Sequence, residues 1–358
     1  MIIDRFQRLR SLIQDYNLDA ILVIDEENLR FLSYNTIFSG RLFVSSQRIV
    51  LFVSAIDYVM YSHLKDIQVI NVDSFLSNSL FHKFFLQNND DCVVGIDSSL
   101  TSHELSKSLN CLIPNLCCIP NLLADLRIIK DDREIILLKE AASLGTKGYF
   151  HVLSQLVLGI SEKEIVSSLK VFWAKNGADG VAFAPIIAFG ENSACPHWRA
   201  SDRPLRSGDL VLIDLGVSWK GYCSDMTRVV LFEKYNEFWD SCYLLVKEAQ
   251  QKGLDYCVSG KTNREVHEVT KSVFSKQKQE EYFIHGTGHG LGIQVHEAPY
   301  ISANAKEVIL MEGMVVTIEP GLYYPQKGGI RLEDSIVITE NGYFNLTNVS
   351  LSQTIPVI

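Results

Sequence analysis

Two rhythms of apolar and polar residues divide this chain. Over the first third, compact apolar runs at Ala20–Ile24, Ile49–Val53, Val69–Val72 and Cys92–Ile96 have the length of buried strands. Between them, Asp4–Tyr16 and Phe75–Leu86 space apolar residues three and four apart, as an amphipathic helix requires. The alternation predicts a small α/β domain over residues 1–127. Nothing in it reads as catalytic: His63, His82 and His103 lack a partner motif and fit surface or packing roles.

The pattern changes near Leu126–Asp132. The segment DDREIILLKEAASLGTKGYFHVL opens on acids, which suit a helix N-terminus, and carries Ile135, Leu138, Ala142, Gly145, Tyr149 and Val152 as one apolar stripe. A long helix therefore opens a second domain, residues 128–358, with His151 beside the stripe in a structural role.

That second domain reads as an internal repeat. Gly159 precedes the capping box Ser161-x-x-Glu164 and the apolar positions Ile165, Leu169 and Phe172. Gly260 likewise precedes Thr262-x-x-Glu265 and Val266, Val269 and Val273. Further on, GDLVLID (Gly208–Asp214) matches GMVVTIE (Gly313–Glu319), a carboxylate following the glycine by six residues in each. A second acid then precedes another apolar run, Asp225 before TRVVLF and Glu333 before DSIVIT. Four features in one order predict two helix–hairpin copies related by a pseudo-two-fold axis, an α+β arrangement with a cleft on that axis.

The chemistry sits at the ends of those apolar strands. A carboxylate in a buried run cannot stay ionised without a counter-charge or a metal. One such acid reads as a structural ion pair, but Asp214, Asp225, Glu319 and Glu333 converging on one cleft repel one another unless cations neutralise them. The tract HGTGHGLGIQVHEAP adds His285, His289 and His296, interleaved with glycines that permit close backbone approach. Four oxygen ligands and one imidazole suit manganese, cobalt, iron or zinc. Bridging carboxylates hold two such ions about 3.5–4 Å apart, where a water they share loses a proton near neutral pH. HExxH, GxSxG and Walker-type motifs are all missing, so no serine or cysteine nucleophile is called for.

Composition narrows the setting. A chain of 358 residues exceeds what one core usually supports, in keeping with two domains. A net charge of -9 argues against broad nucleic-acid binding. The opening residues are too polar for a signal peptide, and no apolar stretch approaches a membrane span. The eight cysteines form no CxxC pair and read as free thiols, which with the missing leader gives a cytoplasmic expectation.

Taken together, SACPHW (Ser193–Trp198), DLGVSWKGYCSDMTR (Asp214–Arg228), HGTGHGLGIQVHEAP (His285–Pro299), IEPGLY (Ile318–Tyr323) and GIRLEDSIVIT (Gly329–Thr339) resemble the pita-bread metallopeptidases, most of all the aminopeptidase P and prolidase branch. The resemblance spans the whole second domain, and more weakly the α/β first domain. It implies five metal ligands, Asp214, Asp225, His289, Glu319 and Glu333, holding two divalent ions per subunit, manganese first and cobalt, zinc or iron as alternatives. It makes Glu319 the group that handles the proton of the attacking water. It makes His197 and His296 the histidines that position the scissile carbonyl and stabilise the tetrahedral intermediate. His285, Val295, Tyr323 and Arg331 are implied as the wall receiving a proline ring. Trp198 departs from the usual tyrosine or histidine, and RLED from the frequent RIED.

The function implied is hydrolysis of the bond between an N-terminal residue and a following proline, as an Xaa-Pro aminopeptidase. The alternatives are a prolidase restricted to Xaa-Pro dipeptides and a non-enzymatic binding protein of the same fold. A methionine aminopeptidase is disfavoured by the extra N-terminal domain, a creatinase by the presence of metal ligands. The resemblance also implies a homo-oligomer, dimer or tetramer, and a proline-containing peptide substrate, while charge and hydropathy speak against nucleic acid and membrane as partners.

Overall fold

The computed structural model describes residues 2–72, 84, 92–113, 115–347 and 349–358. The chain divides into two compact units, Met1–Arg127 and Ile128–Ile358.

The first unit is built on a mixed six-stranded sheet. In chain order its elements are α1 (Ile2–Asp15), β1 (Ala20–Val23), α2 (Glu26–Leu32), β2 (Arg41–Ser45), β3 (Ile49–Val53), α3 (Ala55–Tyr61), β4 (Gln68–Asn71), β5 (Val93–Asp97), α4 (His103–Asn110), β6 (Asn115–Ile119) and the short α5 (Ala124–Ile128) at its end. The strands lie in the order β4-β3-β2-β1-β5-β6. All four residues of β1 are buried, because it pairs antiparallel with β2 on one side and parallel with β5 on the other. The four expected strands are present, and so is the helix expected over Asp4–Tyr16. Strands β2 and β6 escape the pattern: β2 has only three consecutive buried residues, and β6 is a half-exposed edge. The helix expected over Phe75–Leu86 falls almost wholly outside the described residues.

In the second unit, α6 (Asp132–Gln155) starts where the acids predict. Asp131 caps it, accepting from the Glu134 N–H at 2.9 Å while its own N–H reaches the Glu134 carboxylate at 3.0 Å. Leu138, Ala142, Gly145, Tyr149 and Val152 are buried along one stripe. His151 stacks on Phe172 and bonds Ser168 Oγ at 2.9 Å, a packing role.

The two copies of the repeat start alike. Helices α7 (Glu162–Lys175) and, beyond α8 (Glu237–Tyr256), α9 (Asn263–Lys276) each start on the expected capping box. Gly159 and Gly260 both take positive φ, +86° and +89°, and both N–H groups donate at 2.9 Å, to Leu205 and Leu310 carbonyls. In the first copy, β8 (Ile186–Phe189), β9 (Leu210–Leu215) and β12 (Met226–Leu231) form an antiparallel sheet. Its counterpart in the second copy is β13 (Gly288–Gly290), β15 (Val315–Ile318) and β18 (Asp334–Thr339), extended by β14 (Glu297–Ile301) and β19 (Gly342–Asn345). A small hairpin interrupts each central pair: β10 (Val217–Trp219) with β11 (Tyr222–Cys223), and β16 (Gly321–Tyr324) with β17 (Gly328–Arg331). Strand β10 also pairs with β7 (Gly180–Val181).

Strand register corrects one equivalence read from the sequence. Asp214 faces Thr227, whereas Ile318 faces Asp334, which sets Glu319 beside Glu333. The counterpart of Glu333 is therefore Thr227, and Asp225 sits two residues earlier on its strand. The N–H groups of Gly208 and Gly313 donate to Phe232 and Ile338 carbonyls, fixing the same alignment. Counterparts then meet on the axis: Thr227 Oγ1 donates to Glu333 at 2.7 Å, and Arg228 pairs with Asp334 at 2.6 Å. No helix among the described residues is long and apolar enough to cross a membrane.

Candidate metal centre

The axis opens into a cavity of about 450 Å³ whose lining includes Asp214, Asp225, His289, Glu319 and Glu333. Each acid arrives from a strand terminus. Asp214 is the penultimate residue of the wholly buried strand β9, and Asp225 immediately precedes β12. Glu319 immediately follows β15, and Glu333 immediately precedes β18. His289 occupies the middle of β13, between glycines that close packing demands. A Cβ on Gly288 would lie 1.9 Å from the Thr317 carbonyl oxygen, and one on Gly290 2.2 Å from that of Ala298. The His-Gly alternation thus lets a strand squeeze between two others while presenting one imidazole.

His289 is prepared as a ligand. Its Nδ1 faces the Gly290 carbonyl at 3.0 Å and so carries the proton, leaving Nε2 with a lone pair. That Nε2 lies 3.7 Å from Asp225 Oδ2 and 3.4 Å from Glu319 Oε1. Burial holds its pKa down, which keeps the ring neutral. Asp225, His289 and Glu333 each bring one donor atom to within 4.8 Å of the other two, the spread that ligands around one cation adopt.

Charge makes the same case. Burial first, then Glu333, Asp214 and Glu319, push the Asp225 carboxyl far above its usual range. Burial, then Glu319 and Asp214, do so for Glu333, and burial raises Glu319. One guanidinium answers four carboxylates. Arg331 bonds Asp214 Oδ2 through Nη2, Thr227 Oγ1 through Nε at 3.1 Å and Tyr323 Oη through Nη1 at 2.6 Å. Burial opposes its charge, and Tyr323, Asp214 and Glu319 more than offset that, so Arg331 stays protonated. Asp214 Oδ1 is buried with no hydrogen-bond partner. An orphaned carboxylate oxygen, a ring nitrogen with a free lone pair and an excess of negative charge are what divalent cations satisfy. The residues fit the group.

The remaining expected residues divide by position. His197, Val295 and His296 line the cavity, and His197 and His296 are exposed to it. The His296 ring meets His289 edge-on at 4.3 Å; burial and then His289 lower its pKa. His285 also lines the cavity, but both its ring nitrogens are occupied, Nδ1 by the Gly286 carbonyl at 2.6 Å and Nε2 by Tyr323 Oη at 2.9 Å. Tyr323 is not among the lining residues: it stands behind, bonding both His285 and Arg331. Its place in a substrate wall is thus indirect. Arg331 lines the floor with its donors turned to protein partners.

Sequence reasoning passed over several residues. Thr227 joins Glu333 to Arg331, and Thr317 Oγ1 accepts from the His289 N–H at 3.1 Å. Phe183, Ile186, Arg199 and Tyr300 line the cavity walls. Glu162 is wholly buried beneath the loop that carries His197. Threonine at strand ends carries no distinctive pattern, while the capping helix start at Glu162 masks its second role.

Known proteins share this layout. The Creatinase/Prolidase N-terminal domain matches residues 5–129, and Metallopeptidase family M24 matches residues 137–340. An Xaa-Pro dipeptidase of Pyrococcus horikoshii is 33% identical over 348 residues, 96% of this chain and 97% of that protein. The solved structure of an Xaa-Pro dipeptidase from Bacillus anthracis superposes with a TM-score of 0.92 at 30% identity, covering 100% of both chains. That of an X-Pro aminopeptidase from Thermotoga maritima gives 0.86 at 29% identity, covering 99% of this chain and 100% of the other. With an α/β N-terminal domain, a pita-bread catalytic domain and a buried Asp225–His289–Glu333 triad spaced to hold a metal ion, this chain belongs to metallopeptidase family M24.

Proposed function

We propose that the protein hydrolyses the peptide bond between an N-terminal residue and a following proline, using two divalent ions held by Asp214, Asp225, His289, Glu319 and Glu333. The observation that carries this is the cavity itself: three buried carboxylates, the part-buried Glu319 and one neutral imidazole share it with a single engaged guanidinium. Bound there, the ions, manganese first and cobalt, zinc or iron as alternatives, supply Lewis acidity and a water acidic enough to attack near neutral pH. Cytoplasmic location and a homo-oligomeric state belong to the same proposal.

The chain's own residues supply the rest. Glu319 takes a proton from the attacking water. As the water oxygen joins the carbonyl carbon and the carbon–nitrogen bond breaks, that proton passes to the proline nitrogen. His197 and His296, exposed in the cavity, hydrogen-bond the carbonyl oxygen as it gains charge. Val295 and the His285 ring give the pyrrolidine an apolar wall, with Tyr323 fixing the His285 ring from behind.

Two readings of substrate length follow. The similarity to proteins named Xaa-Pro dipeptidase supports a dipeptidase, and the likeness to an X-Pro aminopeptidase supports acceptance of longer peptides. Retention of every ligand side chain disfavours a purely binding role. Protein reconstituted with manganese is to be assayed on an Xaa-Pro dipeptide and an Xaa-Pro-Yaa tripeptide. Turnover of either, absent in Asp225→Asn, supports the proposal. Metal-loaded wild type that turns over neither sinks it.

A further inference from the structure

The cavity holds a second arginine with a different situation from Arg331. Arg199 lines it two residues beyond His197, on the exposed side of the loop. Among the described residues lining the cavity, Arg199 and Arg331 are the two permanent cations. Arg331 is 3% exposed and commits Nε, Nη1 and Nη2 to Thr227, Tyr323 and Asp214. Turning it toward a substrate would break all three bonds and strip Asp214 of its counter-charge. Among the described residues, Arg199 has no such ties.

The loop presents Arg199 from a fixed base. Glu162, at the first turn of α7, is 0% exposed and gathers the loop's inner side. It accepts from Phe189 N and Asn192 Nδ2 at 2.8 Å, from Trp198 Nε1 at 2.9 Å, and from Ser201 N and Oγ at 2.8 and 2.7 Å. Ser193 Oγ ties the loop again by accepting from the Gly329 N–H at 2.8 Å. Trp198 and Ser201 are thus nailed inward on either side of Arg199, while His197 and Arg199 face the cavity.

From this geometry we infer that Arg199 receives the free carboxylate of a two-residue substrate and so sets a preference for dipeptides. The inference rests on the proposed Xaa-Pro hydrolysis. In an Xaa-Pro dipeptide the carboxylate carbon stands two bonds from the scissile nitrogen, so a carbonyl held beside His197 brings the carboxylate to the same wall. Entering a cavity whose floor is acidic, that carboxylate needs a cation with free donors, and a guanidinium meets it with two parallel hydrogen bonds. Glu162 acts as a positioning residue for this contact. An amide or a further peptide unit at the same place brings no charge and gains less.

The test compares alanyl-proline with alanyl-prolinamide in metal-loaded wild type, Arg199→Gln and Arg199→Lys, with inhibition by free proline and by prolinamide as a binding readout. Arg199→Gln is expected to lower kcat/KM on the acid by about 10- to 100-fold, mostly through KM, the range for losing a charged hydrogen-bond partner. The amide should change less than about threefold, inhibition by proline should weaken while that by prolinamide holds, and Arg199→Lys should fall between. The substituted side chain is exposed, and a thermal melt matching wild type checks folding. Equal losses on acid and amide, or unchanged inhibition by proline, overturn the role of Arg199 and leave Xaa-Pro hydrolysis standing. Wild type that cleaves an Xaa-Pro-Yaa tripeptide but neither of these overturns the role of Arg199 alone; wild type that cleaves none of the three overturns both, and shows it before any variant is made.

Discussion

Ala188 and His289 occupy the same station in the two halves of the catalytic unit. Each lies on the strand that flanks the central carboxylate-bearing hairpin, and each follows its repeat's capping serine or threonine by the same interval. Yet one side chain is a buried methyl group and the other an imidazole beside two carboxylates. Their neighbours diverge likewise: Phe189, 0% exposed, matches Gly290. The first half fills its strand with core, because α7 packs over it. The second half thins its strand to glycine, because β14 lies alongside and leaves no room. Repetition supplies a frame that aims strand ends at one axis; departures from repetition supply the chemistry.

The largest effect should come from the axis acids. Asp225→Asn is expected to lower Xaa-Pro turnover by more than about 10³-fold, equivalent to several kcal/mol of lost stabilisation. Removing one of the mutually repelling carboxylates should at the same time raise the melting temperature of the metal-free protein and shrink the rise that added manganese gives. A metal-free melt lower than wild type would contradict the charge argument. Next, His289→Ala, which makes the second half copy the first at this station, should cut metal affinity and turnover by about 10²-fold or more. Metal content after dialysis reads this directly, and full retention would show the imidazole to be dispensable.

Third, the contact of counterparts can be split. Arg228→Met or Asp334→Leu alone should each destabilise by about 3–5 kcal/mol in denaturant unfolding, since each leaves a buried charge unpaired. The double variant should recover much of that loss, and strictly additive losses would deny the coupling. Fourth, Gly290→Ala should cost about 1–3 kcal/mol by overpacking against Ala298, whereas Gly180→Ala, with nothing within 4 Å, should be nearly neutral. Comparable melts for the two would refute the packing account.

The smallest effect concerns His267, whose counterpart is Val166. His267 bonds Thr287 Oγ1 at 2.9 Å, and burial lowers its pKa from 6.5. A histidine with a depressed folded-state pKa binds fewer protons in the native state. Its contribution is therefore whole above about 6.5 and is lost as pH falls through the folded value. His267→Gln should flatten the decline in stability below that point, measured by unfolding at pH 5 and pH 7.5. An unchanged decline would assign the acid sensitivity elsewhere.

Much of this arrangement was legible in the residues themselves. Capping boxes, glycines at fixed offsets and acids that end apolar runs each obey a local rule, so the helix starts, the central hairpins and the convergence of Asp214, Asp225, Glu319 and Glu333 could be read directly. What escaped depends on register and on packing between distant segments. Strand register pairs Asp214 with Thr227 and sets Glu319 beside Glu333, which makes Thr227, two residues beyond Asp225, the counterpart of Glu333. The resemblance implies Tyr323 as substrate wall, but its sequence context does not show that its hydroxyl bonds His285 and Arg331. Glu162 carries the signature of an ordinary helix first turn, and only folding brings a distant loop onto it.

The meeting of Arg228 with Asp334 has a consequence for which halves can associate. Two identical first halves docked about the same axis would set guanidinium against guanidinium; two second halves would set carboxylate against carboxylate. Either self-match is repulsive in a setting where neither charge reaches water, while the unlike match is attractive. Each half is therefore complementary to the other and hostile to its own kind, so charge at this one contact selects the unlike pairing.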